Sequence, residues 1–237
     1  MDAFYEAFCS VVGAVDSFVW GWFLIVILLG THVYMTVRTK FIQRKVLTGI
    51  KLSVNGQDPK AEGDISQFGA LTTALAATIG TGNIVGVATG LLFGGPGAIF
   101  WMWITGVFGM ATKYAETLIS VKYRVKDKAG NMLGGAMYAL ERGFKNKSLG
   151  KALAVLFAFF AVLASFGIGA SVQSNSLTGI LESNSLIVSA IGANAIPTWL
   201  VGIVMVILVA IVILGGIKSV SKVTEKLVPF MAIFYTV

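Results

Sequence analysis

The sequence predicts an all-α polytopic membrane protein, and three observations carry the prediction. Of its 237 residues 56% are hydrophobic and only 12% charged, with a mean hydropathy of +0.84, whereas an ordinary soluble domain is about a quarter charged. Apolar runs approaching the about 20 residues that cross a bilayer recur along the chain. Lys and Arg collect between alternate runs, so the net charge of +7 reads as membrane orientation. No basic cluster interleaved with aromatics sits on a soluble-looking stretch, so nucleic acid is not an expected partner. Cys9 and His32 are each the only residue of their kind, which excludes an internal disulfide framework and most zinc or haem arrangements.

The elements follow in order as one transmembrane domain over residues 1–237. Asp2, Glu6 and Asp16 precede the first run without any Lys or Arg, unlike a secretory signal. The first span is 18–37, with Trp20, Trp22 and Tyr34 placed as interfacial aromatics. A basic segment, 38–66, holds Arg38, Lys40, Arg44, Lys45, Lys51 and Lys60. The second span, 67–93, is expected to break near 80–83. Gly94-Gly95-Pro96-Gly97 then punctuates the chain as a tight turn. The third span, 98–121, ends near Lys113 and Glu116. A second basic segment, 122–151, includes a short amphipathic helix over 131–143. The fourth span, 152–181, turns polar in its second half, and the loop 182–197 carries no Lys or Arg. The fifth span is 199–215, Lys218, Lys222 and Lys226 follow, and a sixth, 228–237, is incomplete.

Placing 38–66 inside puts every Lys and Arg except Lys113 in an inside segment. The expected topology is therefore an outside N-terminus with cytoplasmic basic loops at 38–66 and 122–151, in the cell membrane. Residues 228–237 make only about half the helix that a hydrocarbon core of roughly 30 Å needs, so the expectation is a fragment or truncated product of a longer protein.

The stretch around which the chain is organised is 71–95. It is uncharged, yet Thr78, Gly80, Thr81, Gly82 and Asn83 at its centre are weak helix formers. Two readings are open. Gly82, Gly86 and Gly90, four apart, form a small-residue ridge on which another helix packs. Alternatively the helix is interrupted near Gly80. Its last carbonyls, roughly Ala76 to Ile79, are then free for a hard cation, and the amides of Thr81 to Asn83 are free for a carboxylate at the next helix start. Discontinuous helices of this kind hold ligands in secondary transporters.

In the fourth span Ser165, Gly169, Gln173 and Ser176 share one helical face, with Phe166, Ala170 and Gln173 as an overlapping stripe. They are either interhelical glue or a polar pocket wall. Lys113 and Glu116, three apart, read as a structural ion pair, and His32 as a satisfied packing residue. Glu141-Arg142, with nearby Lys145 and Lys147, reads as a solvated surface at the lipid headgroups. No nucleophile–base pair, metal-ligand cluster or phosphate-binding loop points to an enzyme. That leaves transport on an ion gradient or a structural role.

FGALTTALAATIGTGNIVGVATG (68–90), GGPGAIFWMWITGVFGMATKYAE (94–116), ASFGIGASVQSNS (164–176) and VILGGIKSVSKVTEKLVPFMAIFY (212–235) resemble the alanine or glycine:cation symporter family, with the sodium:alanine symporters nearest. The resemblance implies a LeuT-type fold of two inverted five-helix repeats plus an extra N-terminal helix. This chain would hold the extra helix and most of the first repeat. It implies sodium-coupled symport of alanine, glycine or a similar small amino acid, with no cofactor beyond the coupling Na+. By the similarity of Gly80-Thr81-Gly82-Asn83 to a Gly-x-Gly-Asn motif, substrate would meet Gly80, Thr81 and Gly82, with Phe166 and Gln173 lining the pocket. Sodium would meet Ala76, Thr78, Ile79 and Asn83. The alternative expectation is a non-transporting half that is inert or needs a complementary half. Two departures from the family pattern stand out, Gly134-Gly135-Ala136-Met137-Tyr138-Ala139 in the second basic segment and Ala170 near the expected pocket.

Overall fold

The computed structural model describes residues 2–55, 63–184 and 197–236. Lys60, most of the 182–197 loop and Val237 lie outside the described residues. The described chain is helical apart from one small hairpin. In order it runs α1 (Asp2–Val19), α2 (Trp22–Arg38), a 3-10 turn (Ile42–Lys45), α3 (Val46–Val54) and α4 (Gln67–Thr78). A π-helical turn (Gly82–Gly86) leads into α5 (Val87–Lys122), then strands β1 (Val125–Lys126) and β2 (Met132–Leu133) and α6 (Ala136–Gly143). Next come α7 (Lys147–Ala164), a second π segment (Ser165–Ser171), α8 (Val172–Ser183), α9 (Thr198–Ile213) and α10 (Gly216–Thr236).

Three described helices are long and apolar enough to cross a membrane: Phe4–Arg38, Gly82–Lys122 and Lys147–Leu181. The pair Trp199–Ile213 and Gly216–Thr236, bent by 112°, adds a fourth span if counted as one. Burial follows the pattern of a chain whose solvent is lipid. The residues that packing buries are mostly small or hydroxylated, among them Thr36, Thr72, Ser221, Ala111 and Ala154, while most Leu, Ile, Val and Phe side chains point outward along the long helices. Helices in lipid gain nothing by hiding Leu from Leu-like tails, so their contacts use small residues and hydrogen bonds.

Local chemistry fixes the joints. Gly95 sits inside α5 with φ 63° and ψ −167°, and Pro96 follows it. Only glycine takes that conformation without strain, and proline removes the next backbone donor, so α5 is two helical stretches joined across a kink. His32 Nδ1 lies 2.8 Å from Thr112 Oγ1, joining α2 to α5. Gln43 Nε2 donates to Thr36 Oγ1 at 2.9 Å and to the Val107 carbonyl at 3.1 Å, extending that seam. α6 lies close on α7, where a side chain on Gly150 would meet the Leu140 carbonyl. The hairpin pairs Val125 with Leu133 and Lys126 with Met132. Met132 N also donates to Asp64 Oδ2 at 3.0 Å, tying the hairpin to the chain just before α4.

Two helix ends differ from the sequence expectation. The N-terminal helical stretch reaches back to Asp2, with a break at Trp20–Gly21. Its acidic residues Asp2, Glu6 and Asp16 are spaced widely enough to leave Phe8, Val11, Val12 and Val15 as an outward apolar surface. α10 begins at Gly216, so Lys218, Lys222 and Lys226 lie on the helix rather than ahead of a span starting at 228. The three lysines are four apart and share a face, while Ser221 and Val228 on another face are buried.

Candidate functional site

The site grows from the end of α4. Ser66 caps its start, accepting from Gly69 N at 2.8 Å. The helix runs to Thr78 and stops, because Ile79 turns extended at φ −78°, ψ 106°. Helical geometry resumes at Thr81, and Gly82–Gly86 form a wider π turn before α5. A helix ending at Thr78 leaves its last carbonyls without intrahelical partners. Ile79 N takes the Leu75 carbonyl at 2.7 Å, and Asn83 Nδ2 takes that of Thr78 at 2.9 Å. Those of Ala76 and Ala77 receive no backbone N–H from across the break among the described residues.

Asn83 stitches the gap. Its backbone N donates to the Gly80 carbonyl at 3.1 Å while its side chain reaches Thr78. With Nδ2 engaged, its Oδ1 is left as an acceptor, and the Thr78 carbonyl keeps a second lone pair. Two oxygens suited to a hard cation thus stand at one break. Gln173, near the start of α8, lies against the same break. A Cβ built on Gly80 would be 3.2 Å from Gln173 Nε2, so the missing side chain is what lets that amide approach the backbone. Gln173 and Ser174 also line a cavity of about 830 Å³ between α8 and α9, walled otherwise by apolar side chains such as Met205 and Val209.

The structure therefore brings Thr78, Gly80, Asn83 and Gln173 together, with Ala76, Ile79, Thr81 and Gly82 on the same interrupted backbone. Phe166 is different. It rides on the π segment Ser165–Ser171, where Ser171 Oγ donates to its carbonyl at 3.1 Å, and the residue is 75% exposed, so the break does not bury it. The side chains of Gly169 and Ala170 lie outside the described residues. Lys113 and Glu116 pair at 3.1 Å on the exposed face of α5, and exposed pairs of this kind contribute little to stability.

Sequence reasoning missed two sets of contacts. Tyr235 Oη donates to the Asn83 carbonyl at 3.2 Å, from the far end of α10. Along the same helix Ser221, Thr224 and Glu225 form a polar seam with α4. Glu225 Oε1 accepts from Ser66 Oγ at 2.8 Å and from Ser221 Oγ at 3.2 Å. Thr224 Oγ1 lies 3.2 Å from Thr73 Oγ1. A helical signal for the seam was present, because residues 221, 224, 225 and 228 share one face at 3.6-residue periodicity. Nothing local pointed to Tyr235.

Comparison with known proteins adds an independent finding. A family model described as the sodium:alanine symporter family matches residues 5–237. The chain is 54% identical over 230 residues to the sodium/alanine symporter AgcS of Methanococcus maripaludis, covering 96% of this chain and 49% of that protein. It is 48% identical over 227 residues to an uncharacterized transporter of Haemophilus influenzae, covering 95% and 47%. It is 35% identical over 227 residues to the probable sodium/glutamine symporter GlnT of Bacillus subtilis, covering 95% and 44%. The chain spans about half the length of the curated relatives it matches.

Proposed function

From the premise that the chain belongs to the sodium:alanine symporter family, we propose that it serves sodium-coupled symport of a small neutral amino acid, alanine or glycine, across the cell membrane. The observation that carries the reading is the interruption of α4 at Ile79–Gly80, with Asn83 and Gln173 placed on it. The amides of Thr81 and Gly82 open the next helical stretch, where backbone donors and the helix dipole favour an anion. They take the substrate carboxylate, and Gly80 leaves room for it to reach the backbone. Carbonyls of Ala76, Thr78 and Ile79 with Asn83 Oδ1 supply oxygens for Na+. Gln173 offers both a donor and an acceptor to the zwitterion, and Phe166 lines the pocket.

Coupling follows from charge. A carboxylate and a cation held a few ångströms apart in a low-dielectric site attract far more strongly than in water, so each is bound better when the other is present. The fold that suits this reading is the LeuT type, with α4 and the first stretch of α5 as its unwound core helix and the basic segments facing the cytoplasm. The test is uptake of labelled alanine by the chain reconstituted in vesicles under an inward sodium gradient. Uptake that collapses when the gradient is abolished, and is competed by unlabelled alanine and glycine, supports the reading. Accumulation indifferent to sodium, or absent although the purified chain is folded, overturns it for this chain.

A further inference from the structure

The molecule carries a second polar–apolar arrangement, outside the residues assigned above to substrate and sodium. It begins where α2 ends. Lys40 and Phe41 both take left-handed backbone, at φ 53° and 58°, a conformation uncommon for side chains of that bulk. The turn is closed by Phe41 N donating to the Thr36 carbonyl at 2.9 Å. It swings the following residues back along α5 and sets Arg44 over the Phe41 ring, 5.5 Å from its centroid. Between this segment and α5 lies a cavity of about 300 Å³. Its lining includes Ile42, Val46, Leu52 and Met110, together with the polar-tipped Lys45 and Tyr114.

The charge of the segment is one-sided. Arg38, Lys40, Arg44, Lys45 and Lys51 fall in a stretch, 17–57, that contains no Asp or Glu. Arg44 and Lys45 are exposed and have no ion-pair partner among the described residues. On α3 itself Leu47, Ile50 and Val54, at i, i+3 and i+7, are all exposed. An amphipathic helix with an outward apolar stripe and flanking cations lies in the membrane interface. Cations at that depth draw anionic headgroups.

We propose that this segment is a binding site for an anionic phospholipid. Arg44 and Lys45 take the headgroup phosphate, the Tyr114 hydroxyl supplies a further donor, and one acyl chain occupies the groove between Ile42–Leu52 and α5. A phospholipid is the occupant that matches both halves, because inorganic phosphate offers the groove nothing and a nucleic acid has no chain to fill it.

Native mass spectrometry of the purified chain, released from mixed micelles of equal phosphatidylglycerol and phosphatidylcholine, tests it. The chain is expected to retain phosphatidylglycerol preferentially. Arg44→Gln or Lys45→Gln alone is expected to cut that retention about fivefold, and the pair about twenty-fivefold, taking each cation at the usual worth of one charge near an anionic surface. Gly49→Leu tests the groove separately. Gly49 lines the cavity and a Cβ there meets open space, so a leucine is expected to fill the groove without a clash and to reduce retention while every charge is kept. Millimolar inorganic phosphate should not compete. Equal retention of the two lipids, or a double variant that keeps the preference, overturns the proposal. So does displacement by free phosphate, or a dimer that Gly49→Leu abolishes.

Discussion

In the proposed site Asn83 is the side chain given two tasks, because one amide can do two things. Its Nδ2 holds the Thr78 carbonyl across the break and its Oδ1 stays open as an acceptor. Asn83→Ala removes both, and a hydrogen bond of this kind is worth about 1 kcal/mol net, so the sodium concentration for half-maximal alanine uptake should rise about fivefold or more. An unaltered sodium dependence would take Asn83 out of the cation's coordination. Gly69 is the opposite case, structural rather than functional. A Cβ there would run into Ser221 Oγ, Glu225 Oε1 and Ser66 Oγ, which are locked to one another by hydrogen bonds. Gly69→Ala should therefore cost about 1–3 kcal/mol through overpacking, visible as a lower melting temperature in detergent. Asn83 was legible in the sequence because an amide inside an apolar run needs a reason to be there. Gly69 was not, since the atoms that forbid a side chain come partly from residues more than 150 positions away.

At the scale of elements, composition spoke clearly where a run was poor in its own secondary structure. Thr78-Ile79-Gly80-Thr81-Gly82-Asn83 reads as weak helix, and α4 stops at Thr78. Gly94-Gly95-Pro96-Gly97 reads as a turn, and Gly95 is the non-helical residue inside α5. Composition spoke less clearly for α10. Lysines at 218, 222 and 226 look like a loop to a hydropathy reading, but without Gly or Pro between Ile217 and Val228 nothing stops the helix from starting early. The hairpin after α5 was not foreseen, and it depends on Asp127. Asn131 Nδ2 donates to Asp127 Oδ2 at 3.0 Å and Asn131 N to Oδ1 at 2.8 Å. The side-chain bond first, and then backbone N–H groups, hold the carboxyl below its ordinary 3.8. A group with a depressed folded-state pKa contributes order above its unfolded value and loses that contribution as pH falls through the folded one. Protection of the Asn131 amide against hydrogen exchange should thus be constant from neutrality down to about pH 4 and fall only below that ordinary value. Asp127→Asn should abolish the acid step. A step that persists in the variant would assign it to another group.

For the whole molecule, the inverted burial pattern explains why fold class was legible and the site's full membership was not. Hydropathy counts what faces lipid, and here that is most of the surface, so spans announce themselves. Contacts between helices are made by hydroxyls, amides and glycines that hydropathy scores as neutral or unfavourable. α10 shows what this hides. It lies beside the broken helix in the same direction, meeting the start of α4 through Glu225 and Ser66, its middle through Thr224 and Thr73, and the stretch past the break through Tyr235 and Asn83. A helix joined to both sides of an interruption acts as a splint, fixing how far the two halves open. Removing the tie beyond the break should loosen only the distal half. Tyr235→Phe keeps the ring and loses one hydroxyl, which costs about 1 kcal/mol and leaves Ser66, Glu225 and Thr224 in place. The melting temperature should stay within a few degrees while exchange of the Asn83 and Ile84 amides quickens by about fivefold. If the splint instead works through the ring alone, the exchange rates will not change, and a Tyr235→Ala variant will be needed to release them.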